Sequence, residues 1–198
     1  VTETTRGRPR SFDRDKALAE AMRAFWEHGF EATSIAELTK AMKIGAPSLY
    51  AAFGDKKALF REVVSAYQQT YGAFAMHALA SAPTVREGVA RMLREAAVAY
   101  TDPAHPRGCL VISAAINCTP DSADIEQLLR AERNANVDEL ELRIRADMES
   151  GILPAATNAR ALAVLTAATV QGMSQQARDG ATRSELAAVA EAAMLAWP

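Results

Sequence analysis

The chain has 198 residues, 49% of them hydrophobic, enough for one large domain or two small ones with a proper core. Its formal net charge of −2 is unevenly spread: residues 1–61 carry 11 lysines and arginines against 8 acids, residues 62–198 carry 11 against 16, and every lysine lies at or before Lys57. A basic N-terminal third suits phosphate contact and an acidic remainder repels it, while the lack of any run of about 18 apolar residues or an apolar N-terminal core predicts a cytoplasmic chain with no membrane partner.

In chain order, the segment Arg6-Gly7-Arg8-Pro9-Arg10 puts three guanidinium groups on an arm interrupted by Gly and Pro. Such an arm suits the narrow, negative minor groove of DNA. Asp13 can cap a helix over 13–28, whose Leu18, Ala21, Met22 and Phe25 recur at helical spacing and which stops at Gly29. Ser34-x-x-Glu37 matches a capping box and opens a helix over 34–41. Lys43-Ile44-Gly45 supplies a short turn, and Pro47 falls in the first turn of a helix over 46–52. Phe60, Val63, Val64 and Tyr67 form one face, which Tyr71 and Phe74 continue, so a single long helix is predicted over 55–80.

Thr84-x-x-Glu87 then opens a helix over 84–101, and a further helix is predicted over 107–118 after Asp102-Pro103. Thr119-Pro120 suits an N-cap followed by Pro and starts a helix over 120–149, with Gly151 and Pro154 beyond its end. Helices over 156–179 and 182–196 complete the pattern, the last opened by Thr182-x-x-Glu185. The only β-like run, Leu110-Val111-Ile112, is short. The expected fold class is therefore all-α, with about nine helices. A small N-terminal head, residues 1–54, precedes a larger helical body, residues 55–198, and the helix over 55–80 connects the two.

The run from Thr33 to Phe53 has what a helix-turn-helix needs: Ile35, Leu38, Ile44 and Leu49 can pack two short helices across the turn. The block Leu49-Tyr50-x-x-Phe53-x-x-Lys56-x-x-Leu59-Phe60 that closes it is similar to the TetR family of bacterial transcriptional regulators, closely over residues 11–61 and loosely over the rest. That resemblance implies a three-helix DNA-binding head with a helix-turn-helix on a larger ligand-binding and dimerisation domain, assembled as a homodimer mainly through its last two helices. By position it implies that Thr33 and Ser34 could donate to phosphate. Ala46, Pro47, Ser48 and Tyr50 would meet base edges and phosphates, and Lys56 would meet a phosphate at the start of the connecting helix.

Two departures stand out. Lys43 stands where the turn usually has Gly, which costs roughly 1 kcal/mol if that backbone is left-handed. Residues 46–53 contain no Arg, Lys, Asn or Gln, the usual bidentate readers of guanine and adenine. Arg6, Arg8 and Arg10 are therefore expected to carry an unusual share of affinity.

In the body, the same resemblance implies that Tyr67, Tyr71, Phe74, Tyr100, Ile112, Ile116, Met148 and Met173 would surround a cavity between helices, with Ser113, Asn117, Gln171, Gln175 and His77 as candidate polar anchors. The same side chains at helical spacing also serve as plain core. Cys109 follows Arg107-Gly108 at an expected helix start, which favours a reactive thiolate and makes it a candidate ligand contact or oxidant sensor; an inert buried cysteine is the other reading. Cys118 lies about 900° of helical rotation away, so an internal disulfide is not expected.

Ala168-x-x-x-Gly172, with Leu162, Leu165, Met173 and the stripe ending at Trp197, suits a dimer face. His28, His77 and His105 fall in no ligand spacing, and no nucleophile or phosphate motif is present, so neither a metal, a cofactor nor an enzyme is expected. The function expected is a one-component regulator, read as a repressor, that binds a palindromic double-stranded DNA operator as a homodimer and is released by a small, largely apolar effector. A non-specific architectural DNA binder and a thiol-sensing repressor acting through Cys109 are the alternatives.

Overall fold

The computed structural model of the protein describes residues 12–198. These form α1 (Arg14–His28), α2 (Ile35–Met42), α3 (Ala46–Phe53), α4 (Lys56–Gln69), α5 (Ala73–Ser81), α6 (Val85–Ala99) and α7 (Leu110–Ser113). A 3-10 turn (Pro120–Ser122), α8 (Ala123–Glu149), α9 (Ala159–Arg178) and α10 (Arg183–Met194) follow, and no strand occurs among the described residues. The arm carrying Arg6, Arg8 and Arg10 lies outside them.

Local chemistry sets most helix ends. The Asp13 carboxylate accepts from the N–H groups of Asp15 and Lys16, satisfying two donors that the first turn leaves open. Reciprocal capping boxes form at Ser34/Glu37 and Thr182/Glu185. The Thr84 box is only half made: Thr84 accepts from Glu87 N–H, but the Glu87 carboxylate meets the Thr84 hydroxyl.

Two predicted helices are corrected. The helix over 55–80 is broken, because the N–H groups of Thr70 and Gly72 both turn back to the Tyr67 carbonyl. A Cβ on Gly72 would stand 3.1 Å from the Tyr67 ring, so a larger residue at this bend would have to push the ring aside by a few tenths of an ångström. The helix over 107–118 shrinks to one turn. Gly108 sits at φ +79° with its N–H on the Tyr100 carbonyl, and the Ala114 carbonyl accepts from Phe30 N–H at 2.6 Å, in place of a continuing helical bond. Ten α-helices thus stand among the described residues, in keeping with the all-α expectation of about nine.

An aromatic cluster joins the first three helices to the rest. Phe25 and Phe30 both meet Phe60 of α4 at 5.0 Å between ring centroids, and Trp26 packs edge-on against Tyr67 at 4.9 Å. Each such pair adds about 0.5–1.5 kcal/mol beyond simple burial. Arg14 ties three elements together: its guanidinium lies 4.4 Å from the Phe53 ring centroid and donates to Glu62 of α4 at 2.8 Å. Beyond this, α5 packs on α6, α6 on α10, and α8 on α9.

Candidate nucleic-acid interface and cavity

The helix-turn-helix is built as its residues dictate. Leu38 of α2 and Leu49 of α3 are fully buried between the helices, while Pro47, Tyr50 and Ala51 are exposed on the outward side of α3. Ala46 and Ser48 are half-buried. Lys43 closes α2 in the left-handed region (φ 56°, ψ 40°), the only positive-φ residue other than glycine among the described ones. α3 has no side-chain cap and carries Pro47, which has no N–H, in its first turn, while the Ser48 and Leu49 N–H groups both donate to the Gly45 carbonyl at 3.0 Å.

Several expected phosphate contacts are placed elsewhere. Thr33 is fully buried, and its hydroxyl donates to the Gly29 carbonyl at 2.6 Å, so it is committed within the fold. Ser34 is exposed and caps α2, its oxygen accepting from Glu37 N–H at 3.1 Å. Lys56 turns inward, with its ammonium 4.3 Å from the Phe30 ring centroid, and burial pulls its pKa down. The start of α4 is already capped by the Asp55 carboxylate, which accepts from Ala58 N–H at 2.7 Å. Lys57 reaches the body, donating to the Asp121 carbonyl and to Asp124 at 2.7 Å. Lys40 and Lys43, not singled out from the sequence as DNA contacts, are the exposed cations of α2 and the turn; charge alone was the available signal.

A cavity of about 400 Å³ lies between the lower half of α4, α5, α6, the α7 segment, α8 and α9. Of the side chains expected to surround or anchor one, Tyr67, Phe74, Tyr100, Cys109, Ile112 and Gln171 line it. Tyr71 does not: it packs against Trp26 and His105 at 5.3 and 4.9 Å between centroids. Because α7 ends at Ser113, Ile116 and Asn117 are carried away from Ile112 into an exposed loop. Ser113 donates to the Cys109 carbonyl, Met148 is half-buried against the core, and Met173 is buried within it. No signal in the residues marked the α8 contribution, Arg133, Asn136, Val137, Glu139 and Leu140, since only tertiary packing decides which face of that polar helix turns inward.

Of the two readings of Cys109, the structure supports the inert buried cysteine. The residue precedes a helix of four residues rather than entering a long one, and Arg107 donates instead to the Ala181 carbonyl at 2.7 Å. Burial pushes the Cys109 thiol up from its ordinary pKa, against partial opposition from hydrogen bonds with the Tyr67 and Tyr100 phenols. Burial likewise pushes the Cys118 thiol up.

On the opposite side, α9 and α10 present Val164, Leu165, Val189 and Leu195 as exposed apolar side chains. Gly172 faces open space, whereas Leu162, Met173 and Trp197 point inward, so only part of the expected stripe is external.

A helix-turn-helix head carried on a larger all-α body defines the class of helix-turn-helix transcriptional regulators. The chain belongs to the TetR family: the profile described as "Bacterial regulatory proteins, tetR family" matches residues 17–63. It is 34% identical to the HTH-type transcriptional repressor ComR of Escherichia coli (strain K12) over 98% of this chain and 93% of that protein. The HTH-type transcriptional repressor BdcR of the same strain is 37% identical over 60% of each. Among solved structures, a cysteine mutant of the TetR family transcriptional regulator CifR, complexed with 26-bp double-strand operator DNA, superposes with a TM-score of 0.93 at 45% identity, covering 97% of this chain and all of that one.

Proposed function

We propose that the protein is a ligand-responsive transcriptional repressor that binds a palindromic operator as a homodimer and leaves it when a small, mostly apolar effector fills the cavity. The observation that carries this is the double use of α4. Its N-terminal half packs on α1 of the DNA-binding head, Phe60 meeting Phe25 and Glu62 accepting from Arg14, and Tyr67 and Gln68 near its other end line the cavity. A ligand that moves α4 therefore moves the head. Release requires the effector to bind the DNA-free arrangement better than the DNA-bound one. The relatives support repression and the operator-bound CifR structure supports a DNA partner.

Residues 1–54 would form the DNA-binding unit and 55–198 the sensing and dimerising unit. The exposed apolar faces of α9 and α10 suit a four-helix contact across a two-fold axis, which pairs two heads for two half-sites. Such a regulator acts in the cytoplasm, where the chromosome is. Ser34, Ala46, Pro47, Ser48, Tyr50 and the arm arginines are the proposed DNA contacts.

The test is titration against DNA from upstream of the protein's own gene, with excess random competitor at physiological salt. Saturable binding to a short palindrome that survives competitor is expected. Binding lost equally to competitor there and in a whole-genome fragment pool would favour a non-specific architectural role.

A further inference from the structure

The cavity holds one charged group to which the described residues supply no salt bridge. Among the described residues, the other arginines of α8 are each paired with an acid one turn away: Arg130 with Glu126, Arg143 with Glu139 and Arg145 with Glu141. Arg133 has no such pair. Its guanidinium lines the cavity and donates to the Val111 carbonyl at 2.9 Å, and burial disfavours its charge. A half-buried guanidinium with unused donors is costly unless something supplies the acceptors.

The surroundings point to what that is. The Tyr67 and Tyr100 phenols line the same cavity; burial raises both pKa values, so both stay protonated as donors. The only other charged lining residue, Glu139, is already held by Arg143. Phe74, Leu79, Met92 and Leu140 make the remaining wall apolar.

We propose that Arg133 is the anchor for a carboxylate, so that the effector is a monoanionic organic acid whose apolar body fills the rest of the cavity. One guanidinium matches one carboxylate, whose two oxygens accept its paired N–H groups. A dianion such as a phosphate monoester would leave a net negative charge in a poorly solvated space beside Glu139. This rests on the effector reading above and adds the ligand's chemical class.

The test uses the full chain and matched probe pairs: hexanoate, octanoate and benzoate against hexanamide, octanamide and benzamide. Thermal shift and intrinsic tryptophan fluorescence report binding, and release from DNA is scored separately. At least one carboxylate should bind saturably, about tenfold or more tighter than its amide, equivalent to about 1.4 kcal/mol. Arg133→Gln should remove that preference, Arg133→Lys should keep it with weaker binding, and Arg145→Gln, on an exposed pair, should leave it unchanged. Equal binding of acid and amide, an undiminished preference in Arg133→Gln, or no carboxylate binding by the natural chain would each overturn the proposal; the first and last need no variant to fold. A carboxylate that binds through Arg133 without releasing DNA would uphold it and instead refute the release mechanism.

Discussion

Thr33 separates two physical roles that the sequence alone leaves joined. If its hydroxyl serves the fold, Thr33→Val removes the donor to Gly29 and leaves that half-buried carbonyl without its partner. That costs about 1–3 kcal/mol, offset in part by burying one more carbon, worth about 0.8 kcal/mol. The net loss, up to about 2 kcal/mol, corresponds to a Tm lower by up to about 8 °C for a chain of this size. Thr33→Ser, which keeps the hydroxyl, should recover most of it. Thermal melting gives the stability, and fluorescence anisotropy with a labelled operator duplex, well below the melting range, gives the affinity. Operator affinity should stay within about twofold, because the hydroxyl faces Gly29 at 2.6 Å rather than the outside. An unchanged Tm with a tenfold loss of affinity would refute this assignment and restore Thr33 as a phosphate donor.

Lys43→Gly relieves a left-handed lysine, worth about 1–2 kcal/mol, against an unfolded-state entropy cost of about 0.4–1 kcal/mol; chemical denaturation should show a small gain in stability, and a loss would contradict the strain. Gly108→Ala should destabilise by more than about 2 kcal/mol in the same assay, since its Cβ would stand 2.8 Å from the Ser174 carbonyl oxygen at φ +79°. Glu31 is held below the ordinary carboxylate pKa of 4.5, chiefly by the Ser122 hydroxyl and then by Thr119 N–H. Its contribution is therefore complete above that value and is lost as pH falls through the lowered folded value; melting curves taken downward from neutral pH should fall less steeply for Glu31→Gln than for the natural chain. Deleting residues 1–10 should weaken operator binding about tenfold or more and flatten its salt dependence, and unchanged affinity would remove the arm from the interface.

The parts of this fold that depend on neighbours in sequence were legible from the residues. Ser34 with Glu37 and Thr182 with Glu185 form their caps within one turn, so no distant contact is needed to place them. The helix-turn-helix was equally readable, because Leu38 and Leu49 meet across a turn of three residues. Tyr67, Phe74 and Tyr100 were legible as cavity candidates for a similar reason, their helical spacing, though that spacing could not separate them from Tyr71.

What tertiary structure decided depends on partners far along the chain. The apolar stripe through Tyr67, Tyr71 and Phe74 reads as one helix, yet the chain bends at Gly72, where Trp26 and His105 take up Tyr71. The segment after Gly108 has helical residues, but Phe30 takes the Ala114 carbonyl and ends the helix. Lys56 reads as a DNA contact until Phe30 is seen beneath it. Arg133 is one of several arginines on a polar helix, and only the packing of α8 turns it inward. Helix formation answers to hydrogen bonds four residues apart, whereas burial, charge pairing and cavity walls answer to whichever distant segments pack there.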